Sequence, residues 1–241
     1  DSAYIIHPYN IITEIIPGLR NRFSTYASYG NTPFKQSFTK DELSGAITLN
    51  CKTMESVLLE NLGAQGFQIH SLPPEVQFSP VFGSIVAYLN SDDLPDIVLV
   101  GNSYSEETIT GYYDASYGNV LINQGNFRWK VEAPSLTDFI ADGDKKSMAN
   151  ITIGDERVIL ISENDGYLEA YKYQHSNALG WINMESDDWY YTLDLDRGNQ
   201  KTELYYGSGF NSASTRKIQV PPGVEEIYVY KYNGERRKVT F

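Results

Sequence analysis

Apolar residues recur at three- and four-residue spacing early in the chain, where Ile11, Ile12, Ile15, Ile16, Leu19 and Phe23 fall on one helix face. Pro17-Gly18 interrupts that face, because proline lacks the N–H that a helix interior uses, so the pattern predicts two short helices. Thr39 followed by Asp41, Glu42 and Leu43 has the form of a helix start with acidic first-turn residues, and Gly45 would end it. Residues 10–46 are expected to be mainly helical, within an N-terminal region 1–48.

From Leu49 onward the texture changes to short β-rich runs, among them Gly66–Ile69, Ser84–Tyr88 and Asp96–Val100, separated by Gly, Pro, Asn and Asp. After Trp181 strands alternate around Trp189–Leu193, Glu203–Tyr206, Arg216–Val220 and Glu226–Tyr230. Asn233-Gly234 before Glu235–Val239 marks a tight hairpin, because both turn residues tolerate positive φ. The pattern predicts a mainly β protein, with a β region at 49–181 and a small antiparallel β domain at 182–241.

The β region repeats itself. Leu59-Glu60-Asn61-Leu62-Gly63 running to Phe67 is answered by Leu121-Ile122-Asn123-Gln124-Gly125 running to Phe127. Asp96–Asn102 is likewise answered by Arg157–Asn164, both at an offset of about 60 residues. A repeated β unit that cannot bury both its own faces implies stacked blades, and propellers have roughly four to eight of them. Two clear units predict a partial β-propeller. Either the chain is the end of a longer one, or its open flank is covered by the N-terminal helices or another subunit.

These motifs in order resemble the bacterial surface or secreted proteins with FG-GAP (VCBS) repeats and a C-terminal ASPIC/UnbV-like segment. The residues that carry the likeness are Met54-Glu55-Ser56, Asn61-Leu62-Gly63, Gln77–Gly83, Asp96–Asn102 and Gly111–Gly118, followed by Tyr205–Phe210, Ser214-Thr215-Arg216 and Val220–Gly223. The resemblance implies β-propeller blades preceded by further blades, a place outside the cell or on its surface, and no attached enzymatic activity.

Composition narrows the partners. Of 241 residues, 41% are hydrophobic and 21% charged, the balance of an ordinary globular chain. Nineteen Lys and Arg against thirty-one Asp and Glu give a net charge of −12, which repels a phosphate backbone and argues against nucleic acid. No run approaches the roughly 18 apolar residues of a membrane helix. Residues 1–8 lack the basic stretch that opens a signal peptide, so export is expected from the resemblance alone. Cys51, the single cysteine, forms no internal disulfide and is expected to be a small buried hydrophobe.

Two stretches carry candidate chemistry. Blades of this kind often hold calcium in a D-x-[DN]-x-D-G-x-x-D loop, and Tyr88–Asp96 occupies that place. Asn90, Asp92 and Asp96 keep ligand types, but Tyr88 replaces the first ligand and Asp93 the turn glycine, both of which weaken a cation site. The favoured reading is an acidic turn that caps a strand, with no cofactor; calcium is the alternative.

The other stretch is Gly101–Gly118, too long for a simple turn. There Tyr104, Tyr112 and Tyr113 offer flat amphipathic rings, and Glu106 and Asp114 offer acceptors for hydroxyl or amine hydrogens, suiting a glycan or polar protein ligand. The competing reading packs these tyrosines between blades and lets Asp114 close a turn. A carboxylate pair Glu106/Asp114 of glycosidase type is the enzymatic alternative, and a purely structural role is the third.

Nothing else points to catalysis. His7, His70 and His175 have no metal-binding spacing, Gly207-Ser208-Gly209 is not a hydrolase elbow, and Cys51 has no nearby histidine in sequence. The expectation is a non-catalytic exported binding module.

Overall fold

The computed structural model describes residues 2–92, 94–154, 156–173, 179–195, 198–207 and 209–240. Asp93, His175 and Ser208, all singled out in sequence, lie outside them. The chain divides into two compact units, Asp1–Met54 and Glu55–Phe241.

The first unit is helical over four short segments: α1 (Tyr9–Ile15), α2 (Leu19–Arg22), α3 (Tyr26–Gly30) and α4 (Phe34–Ser37). The break between α1 and α2 falls at Pro17-Gly18, as expected from the missing proline donor. Ile12, Leu19 and Phe23 bury that helix face against Tyr29, whereas Ile15 and Ile16 stay exposed. The Tyr9 and Tyr29 hydroxyls donate to the carbonyls of Phe23 and His7 at 2.7 and 2.6 Å, which ties the chain before α1 to the later helices.

The expected helix at Thr39 does not form. Thr39 N–H donates to Glu42 Oε2 at 2.7 Å and Thr39 Oγ1 accepts from Glu42 N–H at 3.3 Å, so the capping box closes, but only turns follow. Glu42 also takes both forks of Arg22, at 2.9 and 3.1 Å, and is committed to a long-range pair rather than to helix propagation. Cys51 is exposed, not buried, with its thiol donating to the Thr53 carbonyl at 3.0 Å.

The second unit is mainly β and consists of several small antiparallel sheets. A hairpin of β1 (Val57–Asn61) and β2 (Phe67–Ser71) comes first. A four-stranded meander follows, made of β3 (Val81–Ala87), β4 (Asp96–Gly101), β5 (Asn119–Asn123) and β6 (Trp129–Glu132), each paired with the next. After one helical turn, α5 (Pro134–Thr137), a three-stranded meander repeats the order in β7 (Lys145–Ile153), β8 (Glu156–Glu163) and β9 (Glu169–Tyr173). The sequence repeat has a physical counterpart, since Asn61 and Asn123 both accept the N–H two residues on, from Gly63 and Gly125, each at 2.9 Å.

The two meanders share one core. Ile85, Val98, Val100 and Val120 pack against Met148, Ile159 and Ile161, with Phe139 and Ala141 closing the layer. Gly83 is required here, because a Cβ would stand 2.7 Å from Met148 Cγ and 2.9 Å from Val100 Cγ2. The other face of the first meander buries Val76, Leu99 and Leu121.

The C-terminal region pairs β10 (Gly180–Asn183) with β13 (Lys217–Val220). It builds a second four-stranded sheet in the order β12 (Gly198–Glu203), β11 (Asp188–Leu195), β14 (Val224–Lys231) and β15 (Arg236–Val239). Asn233-Gly234 turns β14 into β15, with Glu235 N–H donating to Asn233 Oδ1 at 2.9 Å and Gly234 at φ 89°. The strand expected at Glu203–Tyr206 ends at Glu203.

Residues 212–215 run along β7. Ser212 Oγ donates to Met148 O at 2.9 Å, and Asn150 N–H to Ser214 Oγ at 3.0 Å. Thr215 N–H donates to Asn150 O at 2.8 Å, so this segment covers an edge that would otherwise be free. Among the described residues no helix is long and apolar enough to cross a membrane.

Candidate functional site

The segment between β4 and β5 projects as a narrow ribbon. Ser103 and Tyr113 exchange both backbone hydrogen bonds, at 2.8 and 2.9 Å, and a turn at Glu107–Thr110 closes the tip. Its base is held by Asn102, fully buried at φ 78°, a conformation in which asparagine is better tolerated than most side chains. Asn102 Nδ2 donates to the carbonyls of Ser116 and Gly143, both at 2.9 Å, and Oδ1 accepts from Ser116 N–H at 3.1 Å. Gly101 lets Pro80 approach, for a Cβ there would lie 1.8 Å from the Pro80 carbonyl oxygen.

Tyr104 and Tyr112, the next pair along this ribbon, stack with ring centroids 4.7 Å apart and planes 16° from parallel. Tyr112 is 63% exposed. Strand alternation sends Tyr113 to the opposite face, so the three tyrosines expected to act together divide into a stacked pair and a separate ring. Glu106 and Asp114 are exposed.

The ribbon stands in an acidic setting. Burial, followed by the fields of Asp114, Glu163, Asp142 and Asp144, pushes the Tyr104 hydroxyl above its ordinary pKa. Glu163 lies on β8, Asp142 and Asp144 lie just before β7, and none of the three was singled out in sequence. Their approach depends on packing between strands far apart in the chain. The best local signal was Asp142-Gly143-Asp144, an acidic turn directly before β7.

Lys145, 1% exposed, anchors this end with Glu163 and Glu169 at 2.8 and 2.5 Å. Burial opposes its charge, but the hydrogen bonds it donates to the two glutamates outweigh that and raise its pKa. Lys146 Nζ lies 2.5 Å from Asp144 Oδ1, an ion pair off hydrogen-bond geometry, and donates to the Asn102 carbonyl at 3.3 Å.

The Tyr88–Asp96 loop forms the opposite end of the first meander, where β3 pairs Ala87 with Asp96. Asp96 is fully buried. Its Oδ2 accepts from Leu89 N–H at 2.9 Å and its Oδ1 from Asn123 N–H at 2.8 Å, so both oxygens bind backbone. Burial raises its pKa, opposed by those backbone hydrogen bonds.

Asn90 Nδ2 donates to Asp92 Oδ2 at 2.9 Å, and Asp92 Oδ1 accepts from Leu94 N–H at 3.0 Å. The three residues named as calcium ligands thus direct oxygens into turn and strand bonds. Another acidic trio, Glu185, Asp187 and Asp188, brings carboxylate oxygens within 4.8 Å of one another. Lys231 pairs with Glu185 and Asp187, and Arg237 with Asp188, so this cluster is matched by cations.

His70 stacks on Phe127 at 4.0 Å and contacts Glu60 Oε2 at 2.8 Å, a packing role. No protein-family model matches the chain and no curated protein matches it, so the likeness to FG-GAP proteins rests on the motifs that carry it.

Proposed function

We propose that the chain is a non-catalytic binding module of FG-GAP type, exported to a cell surface, that recognises a neutral or amine-bearing glycan through Tyr112. The observation that carries this reading is the Tyr104/Tyr112 stack on a ribbon clamped by Asn102. Tyr104 backs one face of Tyr112 and leaves its outer surface for the C–H face of a sugar ring, while Asp114 beside it accepts hydroxyl or amine hydrogens. The carboxylates around the ribbon favour such ligands over acidic ones.

The blade reading draws support from the two consecutive meanders, the shared turn bonding of Asn61 and Asn123, and the packing of Gly83 on Met148. Export is carried by the motif resemblance. The test is a panel of immobilised neutral and amino-sugar glycans, on which the wild-type chain gives a specific signal; a blank panel rejects glycan recognition.

A further inference from the structure

A cavity of about 380 Å³ opens between β3, β7, β8 and the C-terminal strands, at the small end of the range of small-molecule sites, roughly 300–1,000 Å³. The strand register separates it from the ribbon: Val81 and Gly101 pair at the ribbon end of the first meander, and the cavity takes its wall from Ser84 to Tyr88.

Its charge is unusual for this protein. In a chain of net charge −12, the cavity is lined by Arg157, Arg216 and Lys217 against one carboxylate, Glu203. Glu203 already pairs with Lys201 at 2.6 Å and accepts from the Tyr205 hydroxyl. Among the described residues none of the three lining cations forms an ion pair. Arg216 gives one nitrogen to the carbonyls of Glu185 and Asp188, at 3.1 and 2.5 Å. Arg157 rests on the Trp181 ring at 4.0 Å and gives one Nη to the Lys217 carbonyl at 3.1 Å.

Two nearly buried amides line the same space. Asn150, 8% exposed, donates through Nδ2 to the Tyr173 hydroxyl at 2.6 Å, and its Oδ1 has no partner among the described residues. Among the described residues Gln219, 7% exposed, leaves Nε2 without a partner, and Arg157 Nε and both Nε and Nη1 of Arg216 are in the same condition. Buried polar atoms are rarely left unmatched, so these groups define what completes them: the donors of Arg157, Arg216 and Gln219 call for an oxyanion and the Asn150 acceptor for a hydroxyl.

We infer that this cavity binds a small hydroxylated carboxylate of monosaccharide size, a uronic acid being the simplest case. The carboxylate takes the hydrogens of Arg157 and Gln219, whose fork and amide suit its two oxygens, and a ring hydroxyl donates to Asn150 Oδ1. Tyr173 and Tyr191 line the cavity alongside the ring.

The experiment is isothermal titration of the full chain with sodium D-glucuronate, D-glucose and inorganic phosphate. Glucuronate binds at least about tenfold more tightly than either of the others, and Arg157→Gln removes at least that factor. Absence of glucuronate binding up to about 10 mM, or phosphate binding as tight as glucuronate, overturns the assignment.

Should Arg157→Gln fail to fold, Asn150→Asp remains decisive, because it places a carboxylate at the Tyr173 hydroxyl that Arg157 also meets. That variant melts no lower than wild type and loses glucuronate binding; a folded Asn150→Asp with wild-type affinity contradicts the proposal. Tyr112→Ala leaves glucuronate binding unchanged, which separates this site from the ribbon.

Discussion

Asn102 Nδ2 donates to the Gly143 carbonyl at 2.9 Å, joining the foot of the tyrosine ribbon to the turn that carries Asp142 and Asp144. One side chain thereby sets both the position of the aromatic surface and the approach of the carboxylates beside it. Replacing it with glycine keeps the positive φ accessible but deletes three hydrogen bonds in a buried site. Asn102→Gly is expected to cost about 2 kcal/mol in urea unfolding, and to weaken any ligand of the ribbon as well. Unchanged stability would show that the clamp contributes nothing.

Lys145 tests the acidic end from beneath. Its removal leaves Glu163 and Glu169 facing each other without the cation that both contact. Lys145→Met is expected to destabilise the fold by about 3 kcal/mol, since breaking a buried pair strands the remaining charges. Lys145→Met together with Glu163→Gln should recover part of that loss, and a double-mutant cycle in urea measures it.

Glu42 gives a pH signature in the first unit. Hydrogen bonds from Arg22, then from the Thr39 backbone, hold its pKa at about 2, against an ordinary 4.5. A depressed carboxylate contributes stability fully above its unfolded value, and that contribution fades as the pH falls from 4.5 toward 2. In the full chain, the Glu42 side-chain resonance should titrate near the lower value, and Arg22→Gln should return it toward the ordinary one. Titration of wild-type Glu42 at the ordinary value would refute the pairing.

The Tyr88–Asp96 turn makes a prediction about calcium. With both Asp96 oxygens bound to backbone N–H groups and Asn90 bonded to Asp92, the loop is already satisfied internally. Millimolar calcium should therefore move the melting midpoint by less than about 1 °C. A ligand that binds only the folded state raises it, so a rise of several degrees would restore the cation reading.

Much of the secondary structure was legible from local chemistry. The α1/α2 break follows from Pro17, the β14/β15 turn from Asn233-Gly234, and the repeated turns from Asn61 and Asn123. Local chemistry failed where a distant partner decided the outcome. Thr39–Glu42 carries a good capping box, yet Arg22 draws Glu42 into a long-range pair and no helix follows.

The site was legible only in part. Its tyrosines were visible as an unusual loop, but which of them share a face depends on the Ser103/Tyr113 register. The unmatched charge of Arg157 was not visible at all, because it depends on which carboxylates fold away from it.

The proposal that Tyr112, not Tyr113, presents the binding surface is tested by running the wild type, Tyr112→Ala and Tyr113→Ala side by side on the glycan panel, with thermal melts of each. Tyr112→Ala is expected to lose at least about tenfold in binding while melting close to wild type, and Tyr113→Ala to keep most of its signal. Equal binding by Tyr112→Ala and wild type, or a binding loss matched by an equal loss of fold in both variants, would contradict it.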